Sequence, residues 1–293
     1  MAQGLYQISS FKMAYLLAQL FPRWSLHWLA ARVALGGANR RPAARNAMLE
    51  NLKYATDKSL EEREKMFERG VQNFGRMLAD YFVTAAGRKD LLAPLFDSST
   101  GWAHVEAARA KGKGVILVTG HLGHWELGAQ WLACCGVPLT VITLPEPSPD
   151  LSRWRGAARR QLGIGTLEVG PGREFSFVEM LAVLRRNEAL AVLVDRPYAG
   201  TGVAVRQFGR EAQFSMAAAM LAHHTGAAVI PAFVFAQPDW SYESMALPEV
   251  PMEVGPLRKT MQPNTQRIAD IFESLIRRFP EQWFNYVPLY TRP

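Results

Sequence analysis

The chain has 293 residues, 49% hydrophobic and 20% charged, with a net charge of +7 and a pI near 9.6. That length can bury a substantial core, and the composition excludes low-complexity disorder. The two cysteines, Cys134 and Cys135, are adjacent, which argues against a disulfide framework or zinc spacing and makes the cytoplasm the natural compartment.

Residues 1–50 hold six cations (Lys12, Arg23, Arg32, Arg40, Arg41, Arg45) against one acid, Glu50, and so carry +5 of the +7. The cations alternate with Leu, Trp and Phe, and no nucleic-acid motif accompanies them. An anionic membrane surface or an acidic partner is therefore expected, and nucleic acid is not. The apolar runs 13–21 and 24–35 are too short to span a bilayer. They read as amphipathic helices lying in the interface, anchored near Trp24 and Trp28, with ordinary helices packed on the core as the alternative. The small, basic stretch 36–47 reads as a turn leading into a helix. From 59 to about 86, Met66, Phe67, Val71, Phe74, Met77, Leu78 and Phe82 recur at helical spacing.

Beyond that the pattern alternates. Strands are predicted at 115–119, 139–144, 166–169, 189–195 and 228–235, and helices at 122–135, 149–162, 174–186, 215–225 and 260–279. Strands alternating with helices at this spacing imply an α/β fold, a mainly parallel sheet covered on both faces. No composition break marks a second globular domain.

Ligands of such sheets bind beyond the carboxyl ends of the strands. His121 falls there, flanked by Gly120 and Gly123, and Glu126 follows five residues later. Five residues of continuous helix rotate by about 140°. The two therefore pair only if His121 lies in the turn and Glu126 reaches back from the helix. A carboxylate on one imidazole nitrogen leaves the other free to take a proton from a hydroxyl. No Ser or Cys lies in this segment, so the nucleophile would be the substrate's own hydroxyl. The alternative is a structural histidine. Signatures for dinucleotides, Walker-type phosphate loops and serine-hydrolase elbows are absent. His223 and His224, adjacent on a helix, diverge by about 100° and read as structural, so no metal site is expected. The stiff 145–149 stretch, Pro-Glu-Pro-Ser-Pro, could shape a substrate entrance.

The segment Thr119-Gly-His-Leu-Gly-His-Trp-Glu-Leu-Gly128 resembles the His-x4-Asp/Glu motif of glycerolipid-type acyltransferases. Within them it resembles the bacterial lipid A late acyltransferases (lauroyl and myristoyl transferases) and the related mannoside acyltransferases, whose usual form is Gly-His-Phe-Gly-Asn-Trp-Glu. The resemblance continues through Asp195-Arg196-Pro197, Phe208-Gly209-Arg210-Glu211-Ala212, residues 217–222, Thr225-Gly226-Ala227, Ile230-Pro231 and Pro280-Glu281-Gln282-Trp283. It implies a domain at 51–293 that transfers an acyl chain, preceded by a membrane-associating segment at 1–50. The donor would be acyl-carrier protein or acyl-CoA, with no cofactor besides. The acceptor would be a membrane lipid, foremost a lipid A-type precursor, at the cytoplasmic face of the inner membrane, and the chain would lie in an apolar tunnel. A lipid-binding protein that has lost catalysis is the alternative.

Carried over, His121 is the base and Glu126 its partner, and Arg159, with Arg160 next, binds acceptor or oxyanion, unless the two merely belong to a solvated helix face. Asp195 orients that arginine or contacts substrate, unless it merely ends its strand. Gly123 and His124 fall by the presumed acceptor site. Two departures lie there too. His124 replaces the usual Asn, and Thr143-Leu144-Pro145 replaces an expected Tyr-Arg-Pro.

Overall fold

The computed structural model describes residues 8–85, 91–170, 172–173, 175–198 and 202–290. The ends of the predicted helices at 86 and 174 lie outside these residues, as do 1–7 of the N-terminal segment. The alternating pattern yields the expected α/β sheet. Strand β2 (Val115–Thr119) pairs in parallel with β5 (Ala189–Leu193) on one side and β8 (Ala228–Ala236) on the other. Strand β3 (Leu139–Thr143) pairs in parallel with β5 and with β4 (Ile164–Glu168).

All five β2 residues are buried, because both faces of the sheet are covered. Ile116 and Val118 join the larger core, with α10 (Ala217–Thr225) and α11 (Leu257–Arg278). Val115 and Leu117 face the other way, toward α6 (Trp102–Ala110) and α7 (Trp125–Cys134). Also flanking the sheet are α8 (Pro149–Gln161) and α9 (Ser176–Arg185).

Four strands were not legible in the sequence. β9 (Tyr242–Ala246) runs antiparallel to β8, and β1 (Phe96–Thr100), which follows the single turn α5 (Leu92–Leu95) and runs parallel to β9, completes the order β1-β9-β8-β2-β5-β3-β4. β1 reads Phe-Asp-Ser-Ser-Thr and is mostly exposed, so it carries no apolar run for a pattern to find. The hairpin of β6 (Gly202–Gln207) and β7 (Arg210–Ser215) turns on Phe208-Gly209, both at positive φ (51° and 71°). A two-residue turn of that kind matches the twist of paired strands.

The N-terminal third is helical: α1 (Ile8–Leu20), α2 (Arg23–Asn39), α3 (Pro42–Ala55) and α4 (Leu60–Ala85). The turn expected over 36–47 is shorter than that. α2 runs through Gly36 and Gly37, and the chain breaks only at Arg40-Arg41, where Pro42 opens α3 with its φ already suited to a helix. α3 sends Met48, Leu49 and Leu52 into the main core. α1 and α2 instead leave Met13, Leu16, Leu20, Trp24, Trp28 and Val33 exposed. Among the described residues no helix is long and apolar enough to cross a membrane.

A buried carboxylate ties α2 and α4 to the sheet. Asp80 on α4 is fully buried and accepts hydrogen bonds from Arg23 Nε (2.7 Å) and Nη2 (2.9 Å), while its Oδ1 lies 2.8 Å from His27 Nε2. The Tyr242 hydroxyl of β9 donates to it as well, and Arg23 also donates to the Trp240 carbonyl. Burial alone would favour the neutral acid. The hydrogen bonds and charges of Arg23 and His27 outweigh it and hold Asp80 well below the usual carboxylate range. Breaking a buried ion pair strands the remaining charge, at a cost of roughly 3–5 kcal/mol. Asp80→Ala is accordingly expected to lower stability by about that amount in urea unfolding at neutral pH. A loss under about 1 kcal/mol would show that the carboxylate does not anchor the helices.

Candidate active site

The site forms where two neighbouring parallel strands end. Thr119 of β2 lies in register with Leu193 of β5, and the Val194 N–H donates to the Thr119 carbonyl at 3.0 Å. Two residues further along each chain come His121 and Asp195. The His121 backbone N–H donates to Asp195 Oδ2, and its Nδ1 meets Asp195 Oδ1, both at 2.9 Å. Asp195 is only 3% exposed. Burial works against its charge, but His121, with a smaller contribution from Arg196, lowers its pKa. An ionised carboxylate can only accept, so Nδ1 carries the hydrogen, and in the neutral ring Nε2 is the nitrogen with the lone pair. The His121 side chain is 21% exposed and lines the main cavity.

The loop carrying His121 has little freedom. A Cβ at Gly120 would come within 2.9 Å of Asp195 Cγ, and one at Gly123 (φ 68°) within 2.1 Å of the Val234 carbonyl oxygen. The Gly123 N–H donates to the Gln282 carbonyl (2.8 Å), the His124 N–H to the Val234 carbonyl (2.7 Å), and the Phe284 N–H to the His121 carbonyl (2.7 Å). The Gln282 side chain in turn bonds both the N–H and the C=O of Ala236, at 2.9 Å each. The segment 280–284 is thus a strap that holds the His121 loop in place.

Glu126 does not make the expected pair with His121. The helix predicted from 122 begins at Trp125, because the loop continues through Gly123 to the cap His124. In the first turn of that helix, Glu126 Oε1 accepts from Arg155 Nη2 and Arg159 Nη2, both at 2.6 Å. Arg155 also pairs with Glu146. Burial opposes ionisation of Glu126, but Arg159 and Arg155 outweigh it and pull its pKa down to about 2. Glu126, Arg155 and Arg159 all line the cavity with His121, whereas Arg160 is exposed outside it. No motif singles out Arg155 in the sequence, although its i,i+4 spacing from Arg159 places both on one helix face. Asp195, expected to orient an arginine or touch substrate, lies behind His121 and holds it instead.

Gly123 and His124 are not in the cavity wall. His124 is 2% exposed, and its Nδ1 accepts the Leu127 N–H at 3.2 Å, capping α7. Burial pushes its pKa down to about 4, although Asp80 and Glu126 pull the other way. It is therefore a neutral cap, occupying the cap position for which Asn is also well suited.

The cavity measures about 840 Å³. Leu117, Val141, Ala191 and Ala232 of the sheet and Ala129 and Leu132 of α7 line one part of it. Ala191 and Ala232 belong to central strands yet are only partly covered, because the small side chains leave space beneath α7. Phe74, Trp125, Phe284 and Tyr286 add an aromatic wall. Arg196 is also in the wall, its Nε donating to Asn285 Oδ1 (2.8 Å) and its Nη2 to the Phe284 carbonyl (2.6 Å).

This combination of a held imidazole, a buried cationic cluster and a long apolar recess suits acyl transfer. The family model described as bacterial lipid A biosynthesis acyltransferase matches residues 6–291. The chain belongs to this family. Relatives include a phosphatidylinositol mannoside acyltransferase of Mycobacterium tuberculosis (strain CDC 1551 / Oshkosh), 28% identical over 221 residues, covering 74% of this chain and 68% of that one. Another, from Mycolicibacterium smegmatis, is 25% identical over 260 residues, covering 86% and 83%.

Within this acyltransferase, the buried His124 has a measurable consequence. Its folded pKa lies below the ordinary value of about 6.5, so the unfolded chain binds the extra proton first on acidification. Its contribution to stability is complete above pH 6.5 and falls progressively as pH drops toward about 4. His124→Asn should keep the helix cap and flatten the pH dependence of stability between about 4 and 6.5, read by denaturant midpoints. An unchanged slope would mean that His124 does not titrate as a buried neutral group.

Proposed function

We propose that this acyltransferase moves a fatty acyl chain from an acyl thioester, on acyl-carrier protein or coenzyme A, to a hydroxyl or amine of a membrane glycolipid. The observation that carries the mechanism is the grip of Asp195 on His121 Nδ1, which leaves Nε2 as the free base at the cavity. Nε2 takes the acceptor's proton as its oxygen attacks the thioester carbonyl. Asp195 stabilises the imidazolium. When the tetrahedral intermediate collapses, the carbon–sulfur bond breaks and the imidazolium returns the proton to the departing thiolate. Arg155 and Arg159 bring positive charge toward developing or bound negative charge in the cavity, and Glu126 positions them. Glu126 thus acts through the arginines rather than through the imidazole. The recess beneath α7 suits the donor's aliphatic chain.

The family description favours a lipid A-type precursor as acceptor. The names of the relatives favour a second reading, a phosphatidylinositol mannoside. The exposed apolar residues of α1 and α2, among basic ones, support binding to an anionic leaflet at the cytoplasmic face of the inner membrane. In that reading residues 1–50 are the membrane-associating segment, and α3, which reaches into the core, joins it to the transfer domain.

Purified protein given palmitoyl thioester and either glycolipid in mixed micelles should release thiol and acylated lipid in equal amounts. His121→Ala should reduce both by about 10²–10⁴-fold. Thiol release without acylated lipid, or equal rates in wild type and His121→Ala, would contradict the proposal.

A further inference from the structure

We infer that the cavity is forked, and that its second arm, between α9 and α10, takes a fatty chain of the lipid acceptor. This rests on the acyl-transfer reading above and extends it to a second chain site.

Side chains of a strand alternate between faces. Leu117, Val141, Ala191 and Ala232 line the cavity from the α7 face of the sheet. Phe177, Met180, Met216, Ala217 and Met220 line the same cavity, but they belong to α9 and α10 or their entrances, and Phe177, Met180 and Ala217 pack with the core of the opposite face. The space must therefore pass around the carboxyl ends of the strands, where His121 stands. Ser215, at the entrance to α10, lies at that edge, since its N–H donates to the Val194 carbonyl at 2.8 Å.

The two arms differ in character. The α7 arm is closed over by a helix above small residues of central strands. The α9–α10 arm has an apolar rim: Phe175 is 76% exposed and Val178 57%, either side of the lining residue Phe177. Leu144 (47% exposed) and Tyr198 (38%) are further lining residues of the cavity that reach its surface. Exposed apolar side chains that continue a buried apolar groove are suited to receiving a chain directly from a bilayer. Methionines along the groove adapt to a flexible guest. The thioester donor brings one chain and travels on a water-soluble carrier. The lipid acceptor already lies in the membrane with chains of its own, and its reacting atom must reach the same imidazole. The enclosed arm therefore fits the donor and the rimmed arm the acceptor.

Photolabelling tests the assignment. Phosphatidylinositol with a diazirine near the end of one fatty chain is presented in vesicles, and palmitoyl-CoA with the same group is used separately. Cross-linked residues are mapped by mass spectrometry. The phospholipid should label α9 and α10 around Met216 and Met220, and the thioester should label α7 around Leu132. Ala217→Phe should cut the phospholipid label in the α9–α10 arm at least tenfold, with Met220→Phe as a second plug. Labelling of the α7 arm by the thioester reports that each variant is folded. Phospholipid labelling confined to the α7 arm, its absence from α9 and α10, or thioester labelling of that arm would overturn the inference. Failure of the acyl-transfer reading would show separately, as no acylated lipid from wild type.

Discussion

One carboxylate gripping one imidazole organises the site. Asp195 accepts from both the backbone and the ring of His121, so it sets the position of the loop and the tautomer of the ring together. Its reach depends on β2 and β5 being adjacent, parallel and in register at Thr119 and Leu193. A register slip of one residue would turn one of the two partners to the other face. Gly120 lets the carboxylate approach, and the strap at Gln282 and Phe284 fixes the far side of the loop.

A second buried carboxylate, Asp80, links this centre to the N-terminal helices. Arg23 and His27 of α2 meet it from one side and Tyr242 from the other, and the Tyr242 ring lies 5.5 Å from that of His124. His124 caps the helix that carries Glu126. The helices with exposed apolar residues and the loop with the base are therefore joined through a short chain of buried polar groups. Within it, losing Arg23, His27 or Tyr242 would leave the buried Asp80 carboxylate short of a partner.

The central parallel sheet was legible because its strands are short apolar runs between helical stretches. β1 and the β6–β7 hairpin were not, since edge and hairpin strands carry polar residues and show no such run. At the site, the position of His121 beyond a strand end could be read directly. Its partner could not. Glu126 is five residues away and Asp195 is 74, and proximity in sequence favours the carboxylate that the fold places on the arginines. Which strands lie side by side is a long-range property that a local pattern does not carry. The role of Glu126 was hidden for the same reason, although the Arg155–Arg159 spacing was visible. The motif puts His124 by the acceptor site, whereas the helix start at 125 rather than 122 makes it a cap.

The central claim, that Asp195 rather than Glu126 sets the state of His121, is most directly tested by nitrogen-15 NMR of the His121 imidazole near neutral pH. In wild type the neutral ring should carry its hydrogen on Nδ1, with Nε2 unprotonated. Asp195→Asn should abolish that preference, and Glu126→Gln should leave it in place. A neutral ring protonated on Nε2 in wild type, or a preference lost in Glu126→Gln and kept in Asp195→Asn, would contradict the account.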